Sequence, residues 1–196
     1  SSAILPLPGL VLAGGYLLWL IIFYTLPRPT RTYVLAHELT HALWASLMGA
    51  RVSRLSISRH GGSVTVSKNN ALITLAPYFF PLYTIIVIAG YYVLGIWYDV
   101  ARYHLLWLGL VGFTWGFHFT FTITTLLQHQ SDIQMYGRLF SYALIYLLNV
   151  LGICLWTVLV SAVPWSAAWD YFAFYLREMT ALLGRTAMQG FSLLLQ

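Results

Sequence analysis

The sequence predicts an all-α polytopic membrane protein of five or six transmembrane helices, with a small β-hairpin after the second helix. Three observations lead there. Of 196 residues, 60% are hydrophobic and only 8% charged, against about 25% charged in a typical soluble domain, and the mean hydropathy is +0.76. The apolar surplus is spread over several segments long enough to cross a bilayer. The 8 Trp and 14 Tyr suit rings that collect at headgroup depth.

The first span is expected over 7–26, closed by Pro27-Arg28-Pro29-Thr30-Arg31, where two prolines stop a helix and two arginines mark an interface. A second helix, 32–48, carries His and Glu among its apolar residues and has Gly49 as a C-cap. Residues 51–68 change period: Val52, Leu55 and Ile57, then Val64 and Val66, alternate with polar residues on either side of Gly61-Gly62, the pattern of a β-hairpin turning at the glycines. His60 reads as a turn residue beside them. The next span, 70–95, is broken by Pro77 and Pro81, which leave backbone carbonyls unpaired. Spans 104–127 and 136–163 flank the polar run Gln128–Gln134. A C-terminal helix, 166–195, either spans or lies at the interface, and one domain is expected over 1–196. No charged stretch precedes the first apolar run, so no cleavable signal peptide is expected.

The charge of +5 reads as loop-anchoring at an anionic lipid face, and the lack of a basic cluster interleaved with aromatics argues against nucleic acid as a partner. Counting basic residues places the hairpin side, with Arg51, Arg54, Arg59, Lys68 and Arg138, in the cytoplasm, and Arg28, Arg31 and Arg102 opposite. Cys154 is the lone cysteine, which rules out an intramolecular disulfide and a multi-cysteine metal site.

His37-Glu38-Leu39-Thr40-His41 matches H-E-x-x-H. On a helix, residues four apart share a face, so both imidazoles reach one zinc ion, and Glu38 is placed to take a proton from the water that ion activates. Glu38 is one of five acidic residues in the chain, and a carboxylate in the middle of a spanning helix costs about 2.5–3.5 kcal/mol on insertion scales. A functional reason for it is expected. Zinc needs a third protein ligand as well as an open position. The candidates are Asp99, Asp132, Asp170 and Glu178 with His60, His104, His118 and His129.

The H-E-x-x-H helix, the hairpin with Gly61-Gly62 and a later Asp-bearing segment together resemble the site-2 protease family of intramembrane zinc metalloproteases, over most of the first 140 residues. The resemblance implies zinc as cofactor on two histidines and a downstream aspartate, with the glutamate as general acid and base. It implies membrane-spanning proteins as substrates. Asp132, in the polar run, resembles the family's aspartate, although Gly137 follows five residues later instead of directly and no Asn-Pro precedes it. The simpler role for Asp132 is an N-cap, and His129 is the runner-up ligand. His118 is a candidate for second-shell or oxyanion duty. Gly61 and Gly62 would present the hairpin edge to an extended substrate, and Asn69, Asn70 and Asn149 are candidates to contact substrate backbone. The alternatives are a catalytically silent relative that binds membrane helices, or a metal-ion transporter using the same histidines.

Overall fold

The computed structural model describes residues 7–58 and 61–160, together with 166–167, 169–175 and 177–181. It is mostly helical with one two-stranded antiparallel sheet. The chain divides into two compact units, Ser1–Asn149 and Val150–Gln196. In the second unit the helix begun in the first continues to Val160, and the described tail residues are helical. Arg59, His60 and residues 182–196 of the expected C-terminal helix lie outside the described residues.

Helix α1, Leu7–Thr25, buries only Trp19 and Phe23; Leu10, Leu17, Leu18 and Ile21 are at least half exposed. An apolar helix with one buried stripe and a bare apolar remainder suits lipid or another apolar surface against that remainder. Its partner is α5, His104–Leu126, entered through a 3₁₀ turn at Ala101–Tyr103. The two backbones come so close that a Cβ on Gly15 would stand 2.8 Å from the Gly109 carbonyl carbon, and one on Gly112 would stand 2.9 Å from that of Leu12. Trp19 then reaches across to donate to Thr120 Oγ1 at 2.9 Å, within a cluster completed by Phe23, Phe117 and Phe121.

Helix α2, Thr30–Leu47, starts directly after Pro29. It ends as expected on Gly49, whose φ of +73° permits the paired closing bonds Ala50 N–H to Ala45 O and Gly49 N–H to Ser46 O of a Schellman cap. Its buried residues Glu38, His41 and Ala45 lie at one-turn spacing on one face.

The hairpin forms from β1, Val52–Ile57, and β2, Gly62–Val66. Its turn differs from the expected Gly61-Gly62. Ile57 pairs with Gly62 and Ser58 N–H bonds the Gly61 carbonyl at 2.9 Å. Gly61 therefore closes the loop and Gly62 opens the second strand. The strands pack on α2 and span about 20 Å, which carries the tip back toward the start of that helix.

The segment expected as one broken span is two helices, α3 (Ala71–Phe79) and α4 (Leu82–Leu94), bent by 75°. Asn70 caps α3 by accepting from Ile73 N–H at 3.0 Å. Every residue from Ile73 to Phe79 is buried, so α3 is a core element. It packs against α2 and against the short α6, Ser131–Met135. The first turns of α7, Arg138–Val160, join the same core through Ile145. Among the described residues, three helices are long and apolar enough to cross a membrane, α1, the α5 region and Arg138–Trp156, or four if the bent α3–α4 pair is one span. These support membrane association. The expected second span is a helix, but Thr30, Arg31, Thr32, His37, Glu38, Thr40 and His41 dilute its apolar content, and it is not among the membrane-length helices.

Candidate metal centre

Tyr33, His37 and His41 recur every four residues along α2 and form one stripe. His37 Nε2 and His41 Nε2 stand 3.2 Å apart. Asp132, in the first turn of α6, brings Oδ2 to 3.5 Å from the former and 3.6 Å from the latter. Among the described residues this is the one group of three metal-ligating side chains whose donor atoms converge.

Hydrogen bonds to the three side chains assign the donor atoms. His41 Nδ1 lies 2.9 Å from the Ile73 carbonyl. A carbonyl only accepts, so Nδ1 carries the proton and the Nε2 of the neutral ring presents a bare lone pair. His37 Nδ1 meets the Tyr33 hydroxyl at 3.2 Å. The Tyr78 hydroxyl donates to Asp132 Oδ2 at 3.0 Å. Burial alone would raise the Asp132 carboxyl, but the imidazoles of His37 and His41 beside it hold it well below the ordinary carboxylate range. Lone pairs and a carboxylate facing one point call for a positive charge there, a proton or a metal ion.

The spacing fits a metal. A tetrahedral ion with ligands at ~2.0–2.1 Å holds neighbouring donor atoms about 3.3–3.4 Å apart, against the 3.2, 3.5 and 3.6 Å found. Two imidazoles and a carboxylate suit several divalent transition ions.

The cluster opens on a cavity of about 600 Å³ also lined by Glu38, Gly61, Gly62, Gln128 and Ser131. Glu38 is buried and lies against the hairpin: a Cβ on Gly62 would stand 2.8 Å from its Oε1. Only a glycine allows the strand backbone this close to the carboxylate. Arg28 lines the same cavity, so the residue counted on the opposite face shares a cavity with Gly61 and Gly62. Asn69 lines it too and accepts from Thr74 Oγ1 at 2.9 Å.

The other expected site residues are elsewhere. His118 does not reach the cavity. It borders a separate void of about 20 Å³ behind His37, and its Nε2 is buried without a hydrogen-bond partner. Asn149 donates to the carbonyls of Tyr78, 3.0 Å, and Ile145, 2.9 Å. His129 is exposed and pairs with Gln134. Asp99 accepts from Ala101 N–H at 3.2 Å in the loop before α5. Sequence reasoning missed Tyr33, Tyr78 and the Ile73 carbonyl. Tyr33 was visible as the residue four before His37, and the carbonyl from Pro77 four residues later. Nothing in the sequence pairs Tyr78 with Asp132.

No family model, curated protein or solved structure matches the chain. Fold and site together define a class: a mostly helical protein with membrane-length helices and a His37/His41/Asp132 group able to hold a metal ion.

Proposed function

We propose that the protein is a multi-pass intramembrane zinc endopeptidase of the site-2 protease type that cuts membrane-spanning protein helices. The observation that carries this reading is the convergence of three donor atoms within 3.6 Å on a cavity that Glu38 also lines. A pure binding site would not need a buried, non-ligating carboxylate beside its ligands.

His37, His41 and Asp132 would hold zinc, which when bound supplies a Lewis acid to polarise the scissile carbonyl and ease deprotonation of water. Glu38 accepts the proton of the attacking water and hands it to the leaving amine. Tyr33, the Ile73 carbonyl and Tyr78 keep the three ligands aimed. Gln128 and Ser131 give water a polar approach from the cavity wall. Gly62 lets strand β2 run beside Glu38, where an extended substrate segment would lie. Five or six spans, with the base of the hairpin at the cytoplasmic face, complete the proposal.

The test is bound zinc and cleavage of a membrane-spanning helix substrate, measured in wild type and Glu38→Gln. Equal zinc with cleavage reduced about 10²–10⁴-fold in the variant supports the protease. Zinc in both with cleavage in neither leaves a silent, helix-binding relative, and zinc in neither removes the metal reading.

A further inference from the structure

Resting on that reading of the site, we propose that Pro77 is a positioning residue of the metal centre: lacking an N–H, it reserves the Ile73 carbonyl for the Nδ1–H of His41. In an α-helix the amide of residue 77 bonds the carbonyl of residue 73. Helix α3 runs through Pro77 from Ala71 to Phe79. The four-residue bonds on either side are intact, Thr74 N–H to Asn70 O and Phe80 N–H to Ala76 O, both 2.9 Å. The rung that proline removes is the one ending on Ile73. That residue is 2% exposed, so an unpaired carbonyl there would be strongly unfavourable. It is met by His41 Nδ1 at 2.9 Å.

The ring is not needed to bend the chain. The 75° turn between α3 and α4 falls at the break after Phe79, where Phe80 and Pro81 leave the helix. What Pro77 changes within α3 is the hydrogen bonding of one carbonyl. With that bond made, His41 is locked in the tautomer whose Nε2 faces His37 Nε2 and Asp132 Oδ2. Any other residue at 77 would bring an N–H aimed at the same oxygen.

The experiment uses the full chain in nanodiscs, with two readouts: the ¹⁵N signals of the His41 ring in metal-free protein, and the affinity for Co²⁺ followed by its ligand-field absorption. Pro77→Ala restores the competing N–H. Replacing Pro77 by lactic acid, which places an ester at that link, removes both the ring and the N–H. The expected result is mixed His41 tautomers and Co²⁺ binding roughly tenfold weaker in Pro77→Ala, the lower end for loss of an outer-shell partner. The ester variant should match wild type in both. The proposal is overturned if Pro77→Ala keeps the wild-type tautomer and affinity, or if the ester variant behaves like Pro77→Ala, which would assign the effect to the ring. If Pro77→Ala does not fold, the ester variant decides alone: wild-type behaviour supports the proposal and a tenfold loss overturns it. Should wild type bind no Co²⁺, the metal reading falls, and the tautomer comparison still tests the role of Pro77.

Discussion

At the scale of single residues, the candidate site separates groups that hold an ion from groups that would use it, and substitutions should separate them too. Tyr78→Phe removes the hydroxyl bonded to Asp132 Oδ2 without touching a ligand. Metal affinity should fall about tenfold, as for other outer-shell partners, measured by competition with a chromophoric chelator; an unchanged constant would mean that Asp132 needs no such support. Gly62→Ala acts on the other side. Its Cβ would crowd the Glu38 carboxylate, so bound zinc should stay at the wild-type level while cleavage drops about 10–100-fold from misplacement of the proton acceptor. Loss of zinc in that variant would show instead that the hairpin supports the ligands. The H-E-x-x-H turn was legible because i, i+4 spacing is local geometry. Asp132 was not legible from spacing, since only the fold brings α6 to α2; it stood out by resemblance and by its place in a polar run. Tyr78 was beyond reach because its partner is 54 residues away.

At the scale of elements, helix α3 organises the site although it contributes no ligand. It presents the Ile73 carbonyl to His41 and the Tyr78 hydroxyl to Asp132, and so fixes the ligands of two other helices from one buried piece. Its own far end is held by Asn149, which fills the Tyr78 carbonyl that the break before Leu82 leaves open. The sequence marked Asn149 as an expensive polar residue in an apolar run, and the structure shows it bonding a neighbouring helix. Asn149→Leu should therefore act through stability. Hydrogen bonds between membrane helices average about 0.6 kcal/mol and reach ~1.7, so a loss near the upper figure is expected in denaturant titration, given that the orphaned carbonyl is buried. A fully stable variant with lost cleavage would point to substrate contact instead. The hairpin was legible from its period, but its turn is centred two residues before the expected glycine pair, because alternation locates strands better than it locates the loop closing them. The proline breaks were legible as breaks; which carbonyls they free, and what those carbonyls meet, follows only from packing.

At the scale of the whole molecule, the membrane-length helices and the metal group make different demands. Helices α1 and Arg138–Trp156 leave most of their apolar surface bare, which suits lipid, while α2 carries the polar ligands and α3 is buried from Ile73 to Phe79. The five or six spans expected from the sequence include α2, whose histidines and glutamate keep it out of the three or four membrane-length helices found among the described residues. The proposed ion would tie α2 to α6, which lie far apart in the chain and both pack on α3. Removing it should loosen the unit Ser1–Asn149 as a whole. At a hundredfold excess over its dissociation constant, a ligand bound only to the folded state contributes about 2.7 kcal/mol, or roughly 5–10 °C in melting temperature at this size. Treating the zinc-loaded protein with a strong chelator should lower the melting temperature by that amount, and zinc should restore it. In Asp132→Ala the chelator should change little, because the variant has lost one of the three donors. A zinc-loaded wild type that melts at the same temperature with and without chelator would mean that the ion does not join the two helices.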